Sequence, residues 1–302
     1  MLKHSELVQR RYILSGSPAP NNPFEYHPQI TFLDSSILGK SFYKFRLQYG
    51  YQTGYMGYKW VMTKEKQDLL MEKIKPISIF IKKEECLDLP EQIHTKRIVS
   101  WLSPQKKFYD DMLYNYICMF KEGAVTAQNV VTQMMKLRQI TSGFIYLPDG
   151  SSKYIGGKKL NELKAVLEEI GNHQVIIWAH FKEEIKQIAK ELNCPFYSGD
   201  TPEKEKFNIL NDFKEGKYKY LVAHPASIGH GITLTNCHYA IYYSMSHSYE
   251  LLTQSQQRIH RIGQKEKCQY FYLLVEDSID MEIYKAVENK ERIEQRLLEM
   301  LR

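Results

Sequence analysis

Short apolar runs of strand length alternate with amphipathic helical segments from residue 158 onward, and this alternation leaves few folds open. Residues 158–170 place Leu160, Leu163, Val166, Leu167 and Ile170 at helical spacing. Residues 175–179 follow as an unbroken apolar run, the pattern of a strand covered on both faces. The cycle then repeats: a polar helix at about 182–192, a short strand at 195–197, a helix at 202–213, and strands at 218–223 and 239–243. A helix at about 249–260, a strand at 269–275 and a last helix from Ser278 complete it. Strands joined by helices of this length form a parallel sheet with helices on both faces. The expected fold is therefore α/β, with one complete domain over residues 151–302.

The first 150 residues follow a different pattern. Tyr12, Ile13 and Leu14 read as one buried strand, followed by a turn-rich stretch with Gly16, Pro18, Pro20, Asn21, Asn22 and Pro23. Beyond Leu33, amphipathic helical segments lie at 64–74, 104–120 and 126–140, with two β-like pieces at 77–81 and 93–99. A single opening strand builds no sheet. Residues 1–34 are thus expected to be the tail of a domain whose earlier part lies outside this chain, and 35–150 a mainly helical insertion. Pro148-Asp149-Gly150-Ser151-Ser152 is the expected linker into the last domain.

Composition narrows the function classes. With 43% hydrophobic and 25% charged residues among 302, the chain matches ordinary globular proteins rather than a disordered tail or a coiled coil. No apolar run approaches the roughly 20 residues that span a bilayer, and the first residues lack the apolar stretch of a signal peptide. The five cysteines stand far apart with no Cys-x-x-Cys pair. That argues against a zinc site or a disulfide framework and for a reduced, cytoplasmic setting with no membrane partner. Lysine and arginine outnumber aspartate and glutamate 41 to 35, a net charge of +6 that is compatible with a polyanion partner.

The strongest local signal is Gln254-Ser255-Gln256-Gln257-Arg258-Ile259-His260-Arg261-Ile262-Gly263-Gln264. On a helix, Gln254, Arg258 and Arg261 share one face, and Gly263 is placed to end it. Two converging arginines suit a multiply charged phosphate, because a guanidinium offers bidentate, permanently charged donors. In phosphoryl transfer such groups stabilise charge developing on the γ-phosphate. An arbitrary Arg-x-x-Arg is more often a solvated basic face; the glutamines and the Gly-Gln end favour the phosphate reading here.

Residues 221–234 run from a strand into Gly229-His230-Gly231, flanked by Ser227 and Thr233. Glycines permit close backbone approach, and exposed N–H groups with hydroxyls hold phosphate oxygens. Gly-x-Gly alone reads equally as a structural turn, but this one follows a parallel strand, where open α/β sheets bind ligands. Two other glycine runs fail as phosphate loops. Residues 34–41 end in Gly-Lys-Ser yet carry Asp34 where the motif needs glycine, and Gly156-Gly157-Lys158 lacks the hydroxyl residue. There is no Asp-Glu dipeptide to form a magnesium-binding box, and no Gly-x-Gly-x-x-Gly of a dinucleotide-binding oxidoreductase.

Taken together, these residues resemble the C-terminal part of a Swi/Snf-type superfamily 2 helicase-like ATPase of phage or bacterial kind. Residues 11–18, with Asn21-Asn22 and Phe32-Leu33-Asp34, are similar to motif III and the helix after it. Leu87-Asp88-Leu89-Pro90 and residues 136–143 resemble the helical protrusion between the two RecA-like lobes. Residues 175–181 look like motif IV, 227–234 like motif V and 254–264 like motif VI. The implied fold is a RecA-like second lobe at 151–302, the protrusion at 35–150, and a remnant of the first lobe at 1–34. The basic cluster of the protrusion is reduced here to Ile81-Lys82-Lys83-Glu84-Glu85.

The resemblance implies roles residue by residue. Arg258 and Arg261 match the motif VI arginines that reach ATP, with Gln254, Gln264, Gly229 and Gly231 at the nucleotide cleft. Ser227 and Thr233 are candidates for the DNA backbone, as are His180, Phe181, Ser198 and Gly199, for which plain loop packing is the competing reading. Ser17 in motif III is a candidate coupling residue, or simply a helix cap or turn hydroxyl. The implied whole is an ATP-dependent DNA translocase acting mainly on double-stranded DNA, in the cytoplasm, on the nucleoid or in the host cytoplasm of a phage. ATP and Mg²⁺ would be bound mainly by a first lobe supplied in cis or in trans, so this chain alone is expected to hold no cofactor and to be inactive. The alternative is a non-enzymatic DNA-binding or protein-docking module, or one half of a split motor.

Overall fold

The computed structural model describes residues 8–300 except 17, 20–21, 54–58, 82–86, 122–126 and 229–231. The chain divides into two units, residues 1–86 with 288–302, and residues 87–287.

The first unit is helical. Helices α1 (Tyr26–Leu33), α2 (Ser35–Leu38), α3 (Phe42–Tyr49) and α4 (Lys64–Ile74) enclose a core that includes Phe24, Ile30, Phe45, Tyr49, Leu70, Met71 and Ile74. A small antiparallel pair, β1 (Tyr51–Thr53) and β2 (Lys59–Val61), joins α3 to α4. Side-chain caps start the helices: Asp34 accepts from the Ser36 N–H, Ser41 from Lys44 and Thr63 from Lys66. The Gly-Lys-Ser run is thus a helix–helix turn, in which Gly39 at φ +79° turns its carbonyl to His27 and Thr31.

Two expectations here are corrected. Tyr12–Leu14 is not a buried strand: Tyr12 is 78% and Leu14 99% exposed, and no strand among the described residues pairs with them. Residues 77–81 are not β either, with Ile79 90% exposed after a 3-10 turn at Lys75–Ile77. Both segments have apolar residues at strand spacing but lack the ladder partner that makes a strand stable.

The second unit opens with β3 (Gln92–Val99), followed by α5 (Ser103–Lys121), α6 (Ala127–Thr141) and a hairpin of β4 (Phe144–Tyr146) and β5 (Ser152–Tyr154). The expected linker at 148–152 is the turn of this hairpin. Leu147 N–H bonds Ser151 O, the Asp149 carboxylate accepts from Ser151, and Gly150 sits at φ +83°. Pro, Asp, Gly and Ser serve tight turns and linkers alike.

The alternating part then follows as α7 (Lys159–Ile170), β6 (Val175–Trp178), α8 (Lys182–Leu192), β7 (Phe196–Tyr197), α9 (Glu203–Lys214) and β8 (Tyr220–Ala223). It ends with β9 (Tyr239–Tyr242), α10 (Tyr249–Gln256), β10 (Cys268–Val275) and α11 (Ile279–Met300). The sheet order is β3-β10-β9-β6-β8-β7, and every pairing in it is parallel. This is the parallel α/β fold expected from the alternation, and it agrees with the RecA-like lobe that the resemblance implies. Successive residues of each strand face opposite layers. Val175, Ile177, Val222 and Ile241 pack on α7 and α8, whereas Ile176, Trp178, Leu221 and Tyr242 pack with Phe213 of α9 and Ile283 of α11. Each such side chain contributes about 1.5–3 kcal/mol through burial.

Strand β3 reaches this sheet from the region read as a helical insertion. Its Cα partners run from Cys268↔Gln92 to Val275↔Val99, so it is a full-length neighbour of β10. Arg97 faces α7, where its guanidinium is bonded to Glu162 at 2.7 Å and Glu169 at 2.7 Å. Helices α5 and α6 pack with the same unit through Tyr109, Leu137 and Ile140, and Gln105 donates to the carbonyls of Ile140 and Thr141.

From β6 the chain crosses to β7 at one edge, returns to β8, and then passes to β9 on the other side of β6. The direction of winding therefore reverses around β6. In an open α/β sheet, the carboxyl ends of the strands at such a reversal form the ligand crevice.

Candidate functional site

Helix α10 begins at Ser248, whose hydroxyl accepts from the Leu251 N–H. It ends at Gln256, four residues short of the expected end. The Arg258 and Ile259 N–H groups bond the carbonyls of Ser255 and Gln256, three residues back, so the chain tightens into turns here. Gln254, Arg258 and Arg261 consequently do not share one helical face. Gln254 donates to Glu250 at 2.9 Å instead.

Arg258 is 7% exposed. Its backbone carbonyl accepts from Leu234 N at 2.8 Å, and its guanidinium lies 3.5 Å from the Ile232 carbonyl, so it sits against the strand of residues on either side of Thr233. Burial, and then the nearby Arg261, hold its pKa below the ordinary arginine range. Arg261 is exposed. Among the described residues, neither guanidinium is in an ion pair with a carboxylate. Gln264, by contrast, is spent within the fold. Its amide donates to Cys237 O at 3.0 Å and Ile259 O at 3.1 Å, while its oxygen accepts from the N–H groups of Lys265 and Glu266. Gly263 does adopt positive φ, +99°, as the pivot of this turn.

The carboxyl ends of β6, β8 and β9 carry the second cluster. The His180 and His224 rings lie 5.2 Å apart, edge to face. Burial, Arg138 and His224 hold His180 well below the ordinary histidine pKa, and burial and Arg138 lower His224. A cleft beside them is lined by His180, Pro225, Tyr242, Met245, Ser246 and Ser248. Ser198 is buried, and its N–H donates to Thr201 Oγ1. Gly199 is exposed, and a Cβ there would stand 4.0 Å from Ser227 Oγ, so these two residues are neighbours. Ser227 and Thr233 are half-buried. Phe181 is 6% exposed and packs edge-on against Phe144 with the Arg138 guanidinium 5.1 Å from its ring. It faces the interior rather than the crevice. Ser17, Gly229 and Gly231 lie outside the described residues.

Three polar residues shape this region without having been singled out as site residues. Arg138 projects from α6 onto Phe181 and donates to the Met245 carbonyl. Glu184 accepts from the N–H groups of His180 and Phe181 and from Ser244 Oγ, tying the end of β6 to the end of β9. His260 is bonded to the Pro90 carbonyl at 2.8 Å. The one signal for them was a charge set among apolar positions of a helical segment. Among the described residues, no three histidine, cysteine, aspartate or glutamate side chains are grouped to hold a metal ion. The guanidiniums of Arg258 and Arg261 are the groups of this segment able to hold a phosphate.

The SNF2-related domain matches residues 3–143 of the chain, and the helicase conserved C-terminal domain matches residues 158–263. Protein p41 of Acyrthosiphon pisum secondary endosymbiont phage 1 is 25% identical over 308 residues, covering 98% of this chain and 65% of the phage protein. An uncharacterized ATP-dependent helicase of Mycoplasma pneumoniae is 26% identical over 247 residues, covering 76% of this chain and 23% of that protein. The chain thus spans less than two thirds of the length of both relatives. Among solved structures, the Sulfolobus solfataricus SWI2/SNF2 ATPase core in complex with dsDNA is similar in fold. The TM-score is 0.54 at 22% identity, over 94% of this chain and 61% of that one.

Proposed function

Because this chain belongs to the SWI2/SNF2 helicase-like ATPases, with an SNF2-related domain followed by a helicase C-terminal domain, we propose that it supplies the second motor lobe of an ATP-driven DNA translocase. The observation that carries this reading is Arg258, a guanidinium 7% exposed, repelled by Arg261 and without a carboxylate partner among the described residues. A buried, uncompensated cation is costly, and an incoming phosphate oxyanion offsets that cost.

In this reading Arg258 is held rigidly by the Leu234 and Ile232 backbone, and Arg261 stands exposed on the next turn to meet the same anion. Bound ATP supplies the phosphoryl group whose developing charge the two guanidiniums neutralise. Metal coordination and activation of water fall to residues of a first lobe, in cis or in trans, so the isolated chain is inactive. Gly199, Ser227 and Thr233 offer small and hydroxyl-bearing groups of the kind that contact DNA phosphates, His180 adds an imidazole at the end of β6, and the buried Ser198 shapes the turn that holds Gly199. The net charge of +6 favours the same partner.

DNA-stimulated ATP turnover by the full-length protein tests this. Arg258→Ala and Arg261→Ala should each lower turnover by about 10³-fold or more with DNA affinity retained. Robust turnover by the isolated 302-residue chain, or full turnover in both variants, sinks the proposal. Salt-sensitive DNA binding with no response to ATP in the full-length protein points instead to a non-enzymatic DNA-binding module.

A further inference from the structure

Two histidines tie the arginine segment to residues 90–94, far upstream in the chain. The first is His260, between Arg258 and Arg261, bonded to Pro90 O at 2.8 Å. The second is His94 of β3, whose Nδ1 lies 2.8 Å from Tyr272 Oη of β10. That same hydroxyl accepts from Gln256 Nε2 at 2.9 Å, and Gln256 is the last residue of α10, two before Arg258. Its carbonyl in turn accepts from Tyr270 Oη. The His94 ring stacks on Tyr270, its register partner across the ladder, with centroids 4.9 Å apart and planes 15° apart.

The arrangement that satisfies all three polar groups runs in one direction. Gln256 N–H donates to Tyr272 Oη, and Tyr272 O–H donates to Nδ1 of a neutral His94 protonated on Nε2. We propose that His94 and His260 are positioning residues that set where Arg258 and Arg261 stand, and that protonation of His94 releases this hold. A proton on Nδ1 turns the acceptor into a donor, reverses the bond to Tyr272 and places a cation beside His260. The titratable groups around His94 are Tyr270 and Tyr272 of β10 and His260. Lys96 lies two residues along the same strand face, over the Tyr284 ring of α11. His94 is exposed on its strand face, and desolvation of the stacked ring, then the nearby His260, lower its pKa from the ordinary histidine value. The inference rests on the reading of the two arginines as phosphate-contacting groups. It adds a device that makes their placement dependent on acidity and on the upstream strand.

The test uses the full chain. Histidine signals followed by NMR from pH 7.5 to 5 give the titration of His94. Amide hydrogen exchange, corrected for its intrinsic pH dependence, gives the protection of residues 258–264. As His94 protonates, protection of the Arg258, His260 and Gln264 amides should fall about tenfold, the worth of one hydrogen bond, while Ile177 and Ile241 in the sheet stay protected. His94→Phe keeps the stack on Tyr270 and loses the acceptor, so its exchange should show no such step; Tyr272→Phe breaks the link from the other side and serves if the first variant does not fold. An unchanged step in both variants, or no step in the unmodified chain as His94 titrates, overturns the proposal. The motor reading fails separately, through full ATP turnover in both arginine variants, and that result leaves the exchange step as it is.

Discussion

Lys159 and Asp280 form an ion pair of 2.6 Å with side chains 2% and 8% exposed. The pair is the hub of a closed network. Lys159 also donates to Tyr243 O at 3.1 Å, and Asp280 accepts from Thr141 Oγ1 at 3.0 Å and Val275 N at 3.2 Å. Helices α6, α7 and α11 are thereby joined to the ends of β9 and β10. Removing one charge strands the other in the interior, so Lys159→Met should cost about 3–5 kcal/mol. Combining it with Asp280→Asn keeps an acceptor for the Val275 N–H, turns an amide N–H toward Thr141 Oγ1 and should recover most of that loss. Urea denaturation of the two single variants and the double variant measures the coupling, and strictly additive losses would refute it.

Arg258 makes the opposite prediction. It is buried without a carboxylate partner among the described residues, so Arg258→Met should leave stability unchanged or raise it by about 1 kcal/mol. Inorganic pyrophosphate should raise the melting temperature of the unmodified chain, because a ligand bound only by the folded state adds stability. It should have no effect on Arg258→Met. A loss of more than about 2 kcal/mol in the variant would instead mark Arg258 as a structural residue.

These two residues show which parts of the molecule the sequence discloses. Periodicity is local, and Val175–Trp178 and Tyr239–Tyr242 carry it in four consecutive residues, so strand identity and the parallel sheet were legible. Pairing is not local. Tyr12–Leu14 has strand composition without a ladder partner, while Gln92–Val99 finds one in β10, on the far side of the sheet's own sequence. Motif arginines were legible as a pattern, but their setting was not. The helix end at Gln256 depends on turns held by Leu234 and Cys237, and Gln264 and Phe181 proved to be fixed inside the fold. Buried charges such as Lys159 and Arg138 were hidden because a charge is tolerated inside only with partners that the fold alone brings near.

Arg138 should behave as a fixed brace. Its guanidinium covers the buried Phe181 ring and donates to the carbonyl of Met245, which lines the strand-end cleft. Arg138→Ala should cost about 3 kcal/mol in urea denaturation, through the lost bond and the uncovered ring. Arg138→Lys should recover little, since an ammonium lacks the flat fork that stacks and donates at once. Full recovery by lysine would show that charge alone matters at this position.

Burial, and then the same arginine, make the fold sensitive to acid. His180 and His224 have pKa values lowered by burial and by Arg138. In the unfolded chain they titrate near 6.5, roughly as in model peptides. Below that pH and above their folded-state values, the unfolded chain binds more protons than the folded one, so stability rises with pH through this window. The stability is complete above about pH 6.5 and is lost as the pH falls from there, by up to about 1.4 kcal/mol per unit for each histidine. His180→Phe should flatten the slope between pH 7 and 5.5. Arg138→Met should flatten it too, because it removes the positive charge that depresses both histidines; the other histidines whose pKa is lowered, His94 and His238 among them, leave a residual slope. Denaturation midpoints across that range measure it. A slope unchanged in both variants would place the acid sensitivity elsewhere in the fold.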